Sequence, residues 1–99
     1  MDGFDWDNGN TEKCLKHGVS QTDVEAICRG PLDIFPDTDH SIEETRFFGI
    51  GRTEARRYVF IAFTIRTRDG KRFVRPISAR FMHAKEVTHY LKETARRQD

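Results

Sequence analysis

Cysteine and long apolar runs are both scarce in this sequence. Among 99 residues there are two cysteines, and the spacing of Cys14 and Cys28 matches no common metal-binding pattern. Both fall on apolar positions of predicted helices, so we expect free, buried thiols. No apolar stretch approaches the roughly 20 residues of a membrane-spanning helix, and no charged-then-apolar leader opens the chain. We therefore expect one cytoplasmic domain, 1–99, with a modest core that needs no disulfide or structural metal.

Acidic and basic residues are divided unevenly along the chain. Residues 1–45 carry eleven acidic and three basic side chains, whereas 46–99 carry five acidic and fourteen basic ones, giving −8 and +9. Nine of the bases lie between Arg46 and Arg75, and most are arginines, whose forked guanidinium suits bidentate contact with phosphate. The second half therefore predicts a polyanion partner or an acidic protein that covers it. A solvated face of strands would explain the same charge.

The segment 57–80 has the pattern of a central β-hairpin. Its first run, 57–66, is apolar at nearly every position, which is typical of a strand buried on both faces. Asp69-Gly70 follows, a dipeptide that supplies the positive φ angles of a tight hairpin turn. The second run alternates and contains Pro76, which cannot donate to a ladder. We therefore predict that the second strand is an edge or is bulged there.

A two-residue turn in this hairpin fixes where its arginines lie. It pairs Arg66 with Phe73 and Thr64 with Arg75, so Arg66 and Arg75 lie diagonally on one face, close enough to clamp one phosphate. Arg80 lies roughly 23 Å beyond Phe73, so we expect it to contact a different phosphate along the strand. A bulge in the second strand would change the face that Arg80 uses.

The remaining sequence predicts three helices and further strands. The predicted helices cover 11–17, the segment between Ser20 and Gly30, and 83–97; the predicted additional strands cover 32–35 and 44–51. Phe4 to Asp7 reads as a short edge strand or an anchor. The order indicates an α+β fold with a single antiparallel sheet of three to four strands, two N-terminal helices and one C-terminal helix.

Four short motifs resemble those of a known protein family. They are Phe4-Asp5-Trp6-Asp7, Lys16-His17-Gly18-Val19-Ser20, Glu44-Thr45-Arg46-Phe47 with Ile50-Gly51, and Ile77-Ser78-Ala79-Arg80. Their order and spacing resemble the BrnT toxins over nearly the whole chain. The resemblance implies a RelE-like fold, ribonuclease activity that arrests growth, and neutralisation by a BrnA-type antitoxin. It also implies contact with operator DNA through the antitoxin alone, and it leaves open a homodimer or a hetero-tetramer with the antitoxin.

Cleavage of RNA without a metal needs three chemical groups. A base takes the proton of the 2′-hydroxyl, an acid protonates the departing 5′-oxygen, and cations hold the extra phosphate charge. The sequence has no clustered set of Asp, Glu and His typical of a two-metal nuclease, so we predict a metal-free route and no cofactor. We assign the cation role to Arg66, with Arg75 as its neighbour and Arg80 as support.

His17 and Glu44 are the titratable side chains that we place in the catalytic set beside Arg66. A histidine imidazole is suited to acid or base work near neutral pH, although a histidine at a helix end, such as His17, also complements the helix dipole. Glu44 is either the base or an ion-pair partner of Arg46 or Arg66. The other titratable candidates are His40, Glu43, His83 and His89.

The predicted RNA-binding and phosphate-binding residues are Arg46, Arg75, Arg80, Lys16 and Trp6. Trp6 either stacks on a base, as aromatic side chains do in single-stranded RNA binding, or packs in the core. Tyr58, Phe60 and Phe63 are core residues by the strand pattern.

Two alternatives to a ribonuclease stay open at this stage. One is a non-catalytic RNA-binding or operator-binding module of the same fold. The other is an interaction domain whose basic face docks an acidic protein such as the antitoxin. Salt dependence distinguishes them, because contacts with phosphate give a steep fall of affinity with salt.

Overall fold

Residues 1–40 and 44–98, which a computed structural model of the chain describes, fold into a five-stranded sheet with three α-helices. The elements are β1 (Gly3–Phe4), α1 (Asn8–Leu15), α2 (Gln21–Arg29), β2 (Asp33–Asp37), a 3₁₀ turn (Thr38–His40), β3 (Arg46–Arg52), β4 (Tyr58–Arg68), β5 (Lys71–Phe81) and α3 (Ala84–Gln98). The strand order is β1-β5-β4-β3-β2. The α+β class and the three helices are confirmed. The predicted sheet of three to four antiparallel strands is corrected: the sheet has five strands and is mixed, because β1 adds to β5 as a parallel strand.

The central hairpin has the predicted register. Arg66 pairs with Phe73 and Thr64 with Arg75. Asp69 and Gly70 form the turn with φ angles of 52° and 76°. Local turn chemistry therefore determines how the two longest strands align, and it places the hairpin arginines as expected.

A β-bulge in β5 changes the face on which Arg80 lies. Pro76 pairs with Phe63, and Ser78 pairs with the preceding residue of β4, so Ile77 is the extra residue. Side chains alternate between the faces of a strand, and one extra residue therefore inverts the alternation beyond it. Arg80 consequently lies on the same face as Arg66 and Arg75. Of the two alternatives predicted for the strand at Pro76, an edge or a bulge, the structure shows the bulge.

The hydrophobic core lies between α1, α2 and one face of the sheet, which we call the helical face. Its buried residues are Cys14, Val19, Val24, Ile27, Val59, Ile61, Phe63, Val74 and Ala79. Glycines in β3 let α2 approach closely: a Cβ atom at Gly51 would lie 2.6 Å from Cγ2 of Ile27. We call the other face of the sheet the open face. It carries residues 48, 60, 62, 64, 66, 73, 75, 78 and 80.

α3 packs over the end of the open face that is distant from the β4–β5 turn, mainly through polar groups. The Tyr90 hydroxyl donates to Asp33 at 2.9 Å, and its ring meets that of Tyr58 edge-on, with centroids 5.9 Å apart. Arg97 donates to the same carboxylate at 3.0 Å. Leu91 of the same helix is 47% exposed. No helix within the described residues is long and apolar enough to cross a membrane.

The two cysteines are free, as predicted. Cys14 is fully buried and Cys28 is half-buried against the core. Burial raises the pKa of Cys14 to about 11 and that of Cys28 to about 12. Thiols in such an environment are protonated at neutral pH and are therefore poor nucleophiles.

A buried asparagine joins the N-terminal segment, α1 and the bulge of β5. The Asn10 side chain, in a residue 4% exposed, donates to the carbonyls of Asp5 and Pro76 at 2.9 and 2.7 Å. Its Oδ1 accepts from the Asp7 N–H at 2.7 Å, and Asp7 in turn caps the helix by accepting from the Asn10 N–H. One side chain thus stabilises both the start of α1 and the backbone that orients Arg80.

We expect Asn10→Ala to lower the free energy of unfolding by about 2–4 kcal/mol, because it leaves buried polar groups without partners. Urea unfolding of the purified chain measures this loss. Asn8→Ala is the matched control, since Asn8 is exposed in the same helix and its loss should cost less than about 0.5 kcal/mol. Equal losses in the two variants would contradict the role assigned to Asn10.

Candidate active site

Arginines surround Thr64 on the open face near the hairpin turn. Arg46 pairs with Thr64 from β3 and Arg75 pairs with it from β5. Arg66 follows two residues along β4 and therefore points to the same side. Neighbouring strands are about 4.8 Å apart and residues i and i+2 about 7 Å apart, so the backbone positions of these arginines fall within about 12 Å. This part of the predicted phosphate-binding set is brought together.

Arg66 and Glu44 form a loose ion pair. Nη2 of Arg66 donates to Oε1 of Glu44 at 3.4 Å, and Nε lies 3.3 Å from Oε2. Charge-assisted hydrogen bonds usually measure about 2.7–2.9 Å. Among the described residues, the buried Nε of Arg66 has no hydrogen-bond partner. The two side chains are 41% and 40% exposed, so an anion from solvent can reach a guanidinium that Glu44 satisfies poorly.

Arg75 is held more firmly, by acidic side chains of the N-terminal segment. It lies 2.9 Å from Oδ2 of Asp7 and 3.6 Å from Oδ2 of Asp5, with its side chain 18% exposed. Asp5 also pairs with Arg68 at 3.2 Å. The backbone N–H of Asn10, and then Arg75, keep the pKa of Asp7 below its usual value. The acidic half of the sequence therefore folds against part of the basic half.

Arg80 makes a tighter ion pair than Arg66 or Arg75. Its two terminal nitrogens donate to Glu86 at 2.7 and 2.8 Å, and Glu86 also accepts from the His83 N–H. These bonds lower the pKa of Glu86 from 4.5 to about 2. Because the folded pKa is depressed, the stabilisation is present above about pH 4.5 and is lost as the pH falls towards 2. Arg80 thus also fixes the start of α3.

The bond lengths distinguish the hairpin arginines. Arg66 has the longest contacts with its carboxylate, whereas Arg75 and Arg80 have partners within 2.9 Å. Arg80 pairs with Phe60, which is six residues from Arg66 along β4, or about 20 Å. Of these three arginines, Arg66 is therefore the best placed to exchange its carboxylate partner for a phosphate. Arg80 lies too far away to contact the same phosphate.

The corner after α1, where Lys16 and His17 are exposed, lies at the opposite end of the sheet from Arg66. A Cβ atom on Gly18 would be 4.0 Å from the ring of Phe81. The β4 partner of Phe81 is residue 59, seven residues and about 23 Å from Arg66. The fold does not bring the lysine and histidine of this corner to the Arg66–Glu44 pair.

The other predicted residues take different places. Trp6 packs against the core and its Nε1 donates to Glu25 at 2.8 Å, which supports the core interpretation over base stacking. Arg46 is half-buried and lies in register between Asp37 and Thr64. Glu43 falls outside the described residues.

Two aromatic residues predicted to be core lie on the open face instead. Tyr58 and Phe60 are half-buried there, whereas Phe63 is 4% exposed in the core as predicted. The sequence does carry the signal, because residues 58, 60, 62, 64 and 66 share one face by alternation. Because the strand is apolar on both faces, the sequence does not show which of the two alternating sets faces the core. The sequence pattern also does not reveal the partners Asp5, Asp7 and Glu86. The two aspartates are distant from Arg75 in sequence, whereas Glu86 is only six residues from Arg80 but lies on α3.

Among residues 1–40 and 44–98, no three His, Cys, Asp or Glu side chains gather where they could hold a metal ion.

The sequence of the chain matches a known protein family. Residues 6–86 match the model of the family described as the ribonuclease toxin BrnT of type II toxin–antitoxin systems. No curated protein matches the chain. The matched span includes α1, α2, the strands β2 to β5, the Arg66–Glu44 pair and Glu86.

Proposed function

The chain belongs to the BrnT family of ribonuclease toxins of type II toxin–antitoxin systems, and from this premise we propose that it cuts RNA at the Arg66–Glu44 pair without a metal. The cleavage arrests growth, in the cytoplasm, until a BrnA-type antitoxin binds. The observation that carries the proposal is the geometry of this pair: a solvent-accessible guanidinium with long contacts to a carboxylate. It supplies a cation and a base at one place.

The resting ion pair is the form from which the reaction starts. A half-exposed pair of this kind contributes about 0–1 kcal/mol, so an RNA phosphate can replace Glu44 on Arg66 at little cost. The displaced carboxylate then lies within a few ångströms of the bound phosphodiester. A general base must come within hydrogen-bond reach of the proton that it takes, and this exchange brings Glu44 there.

The proposed reaction is transfer of the phosphoryl group within the RNA chain. Glu44 takes the proton of the 2′-hydroxyl, and the 2′-oxygen attacks the adjacent phosphorus. The bond to the 5′-oxygen breaks, and the leaving oxygen takes a proton from water. Arg66 donates N–H groups to the non-bridging oxygens, where negative charge grows in the transition state. The products are a 2′,3′-cyclic phosphate and a 5′-hydroxyl.

The test is the chemistry of the RNA ends that the purified chain produces in excess EDTA. We expect cleavage with 2′,3′-cyclic phosphate ends, detected by mass spectrometry, and no cleavage at a position where the 2′-hydroxyl is replaced by hydrogen. Ends that carry a 5′-phosphate, or cleavage that stops in EDTA, would contradict the proposed reaction. RNA binding without any cleavage would favour the non-catalytic RNA-binding module instead.

A toxin of a type II system has an antitoxin partner, and we propose that a BrnA-type antitoxin covers the sheet between Arg46 and Arg80. The charge there is predominantly basic, so an acidic segment of the partner is attracted and also blocks access of RNA to Arg66. We expect the complex to slow amide hydrogen exchange in β3, β4 and β5. Protection confined to residues 1–40 would place the antitoxin elsewhere. Binding of operator DNA should require the antitoxin.

A further inference from the structure

A pair of phenylalanines occupies the middle of the open face. Phe48 and Phe60 are both half-buried, and their ring centroids are 4.6 Å apart with an interplanar angle of 43°. Phe48 pairs across the strands with Ala62, and Ala62 with Ser78. We call these four residues the aromatic strip. The side chains at 62 and 78 are small, and on the β2 side Phe48 is flanked by its strand partner Phe35, whose ring centroid lies 5.5 Å from the guanidinium carbon of Arg97.

A guanidinium lies at each end of the aromatic strip, and each is paired with a glutamate: Arg80 with Glu86 and Arg66 with Glu44. The guanidinium carbon of Arg80 is 5.1 Å from the centroid of the Phe60 ring. At the other end, Arg66 lies four residues beyond Ala62 on the same face, about 13 Å along β4. An aromatic surface between cationic ends is the arrangement by which proteins bind single-stranded nucleic acid: bases stack on the rings while the backbone follows the charge.

We infer that the aromatic strip is a base-stacking subsite for single-stranded RNA. The inference rests on the proposed function and adds a substrate subsite to it. A base on Phe48 or Phe60 belongs to a nucleotide a short distance along the chain from the phosphate that contacts Arg66. Because every base has a π-face, stacking strengthens binding with little preference for sequence. The aromatic strip therefore raises the affinity for RNA, whereas Arg66 raises the rate at which the bound RNA is cut.

The same strands offer a matched control on their other face. Phe47 and Phe63 form a second ring pair, with centroids 5.5 Å apart, on the helical face. Phe47→Leu and Phe48→Leu therefore remove the same atoms from adjacent residues of β3, one facing the helices and one facing the open side. Thermal unfolding of each variant separates loss of packing from loss of binding.

The experiment measures the affinity of each variant for a labelled single-stranded octanucleotide with 2′-O-methyl riboses, which cannot be cut by the proposed reaction. We expect Phe48→Leu and Phe60→Leu to weaken binding by about five- to a hundredfold, the range associated with loss of a stacked base. Phe47→Leu should bind like the wild type. The slope of log affinity against log salt should stay unchanged in the Phe→Leu variants, because they remove no charge, and should fall by about one in Arg66→Ala.

Phe48→Trp gives an independent readout if a leucine variant fails to fold. The oligonucleotide should quench the indole emission that this variant adds, while the emission of Trp6 in the wild type stays unchanged because Trp6 packs against the core. No quenching, together with wild-type affinity in Phe48→Leu or Phe60→Leu, would overturn the subsite.

The failures of the two proposals are distinguishable. A wild-type chain that cuts RNA, with leucine variants that bind as tightly, overturns the aromatic strip and leaves the proposed function standing. A wild-type chain that neither binds nor cuts RNA overturns the proposed function and the subsite with it. Leucine variants that keep the oligonucleotide but lose the antitoxin would make the strip a protein-docking surface, which also overturns the inference.

Discussion

Arg66→Ala is expected to slow RNA cleavage by about a hundredfold or more while leaving the protein folded. Loss of a group that stabilises developing negative charge in the transition state typically costs about 3–4 kcal/mol. Single-turnover cleavage at saturating protein measures the effect on the bound substrate. In cells, the variant should no longer arrest growth at an expression level at which the wild type does.

Substitution of Arg66 should lower the cleavage rate with little effect on the stability of the fold. The Arg66 side chain is 41% exposed and its ion pair is long, so we expect the melting temperature to fall by less than about 4 °C. Arg66→Lys should recover part of the rate, since an ammonium supplies charge but not the forked contact. Arg68→Ala, on the same strand with a more exposed side chain, is the matched control and should cut at nearly the wild-type rate. Growth arrest by Arg66→Ala at equal expression would place the active site elsewhere.

Glu44→Gln is expected to lower the single-turnover rate by about 10²- to 10⁴-fold, the usual contribution of a general base. Glutamine keeps the size and the acceptor oxygen of the side chain but cannot take the proton of the 2′-hydroxyl.

The direction in which Glu44→Gln changes the cleavage rate shows whether Glu44 is a general base or only the ion-pair partner of Arg66. If Glu44 only neutralised Arg66, its replacement by glutamine would leave the guanidinium freer for phosphate. RNA binding would then tighten and the cleavage rate would not fall. His17→Ala serves as the comparison, because His17 lies at the other end of the sheet and should retain the wild-type rate.

The hairpin and its bulge were predictable because their signals are local. Asp69-Gly70 determines the turn, the turn determines the register, and the missing N–H of Pro76 marks the place where the ladder is interrupted. From these features alone, Arg66 and Arg75 fall on one face. The face of Arg80 depends on one extra residue, and that residue follows the proline directly.

The sequence analysis names Glu44 as a possible partner of Arg66, but the partners of Arg68 and Arg75 could not be predicted, because those contacts join segments that are distant in sequence. Asp5, for example, reaches Arg68 across 63 positions. Charge patterns showed an acidic and a basic half but not which side chains meet. Only the parallel addition of β1 to β5 brings Asp5 to the hairpin.

The open face was misjudged for a different physical reason. An unbroken apolar run in β4 resembles a strand covered on both sides, so Phe60 was expected in the core. The run is covered by α1 and α2 on one side, whereas on the other side α3 contacts Tyr58, Asp33, Phe35 and Arg80 and leaves the part nearer the hairpin turn open. Coverage of a sheet face depends on where a helix docks, which the strand pattern does not contain.

The most direct test of a shared catalytic centre is the single-turnover cleavage rate of the Arg66→Ala, Glu44→Gln double variant beside each single variant. Residues that act on one transition state as a unit are strongly non-additive. The double variant should therefore cut RNA within about threefold of the slower single variant, with wild-type cyclic phosphate ends in the residual product. Losses that multiply would show that the two side chains act independently, and wild-type rates in both single variants would contradict the site altogether.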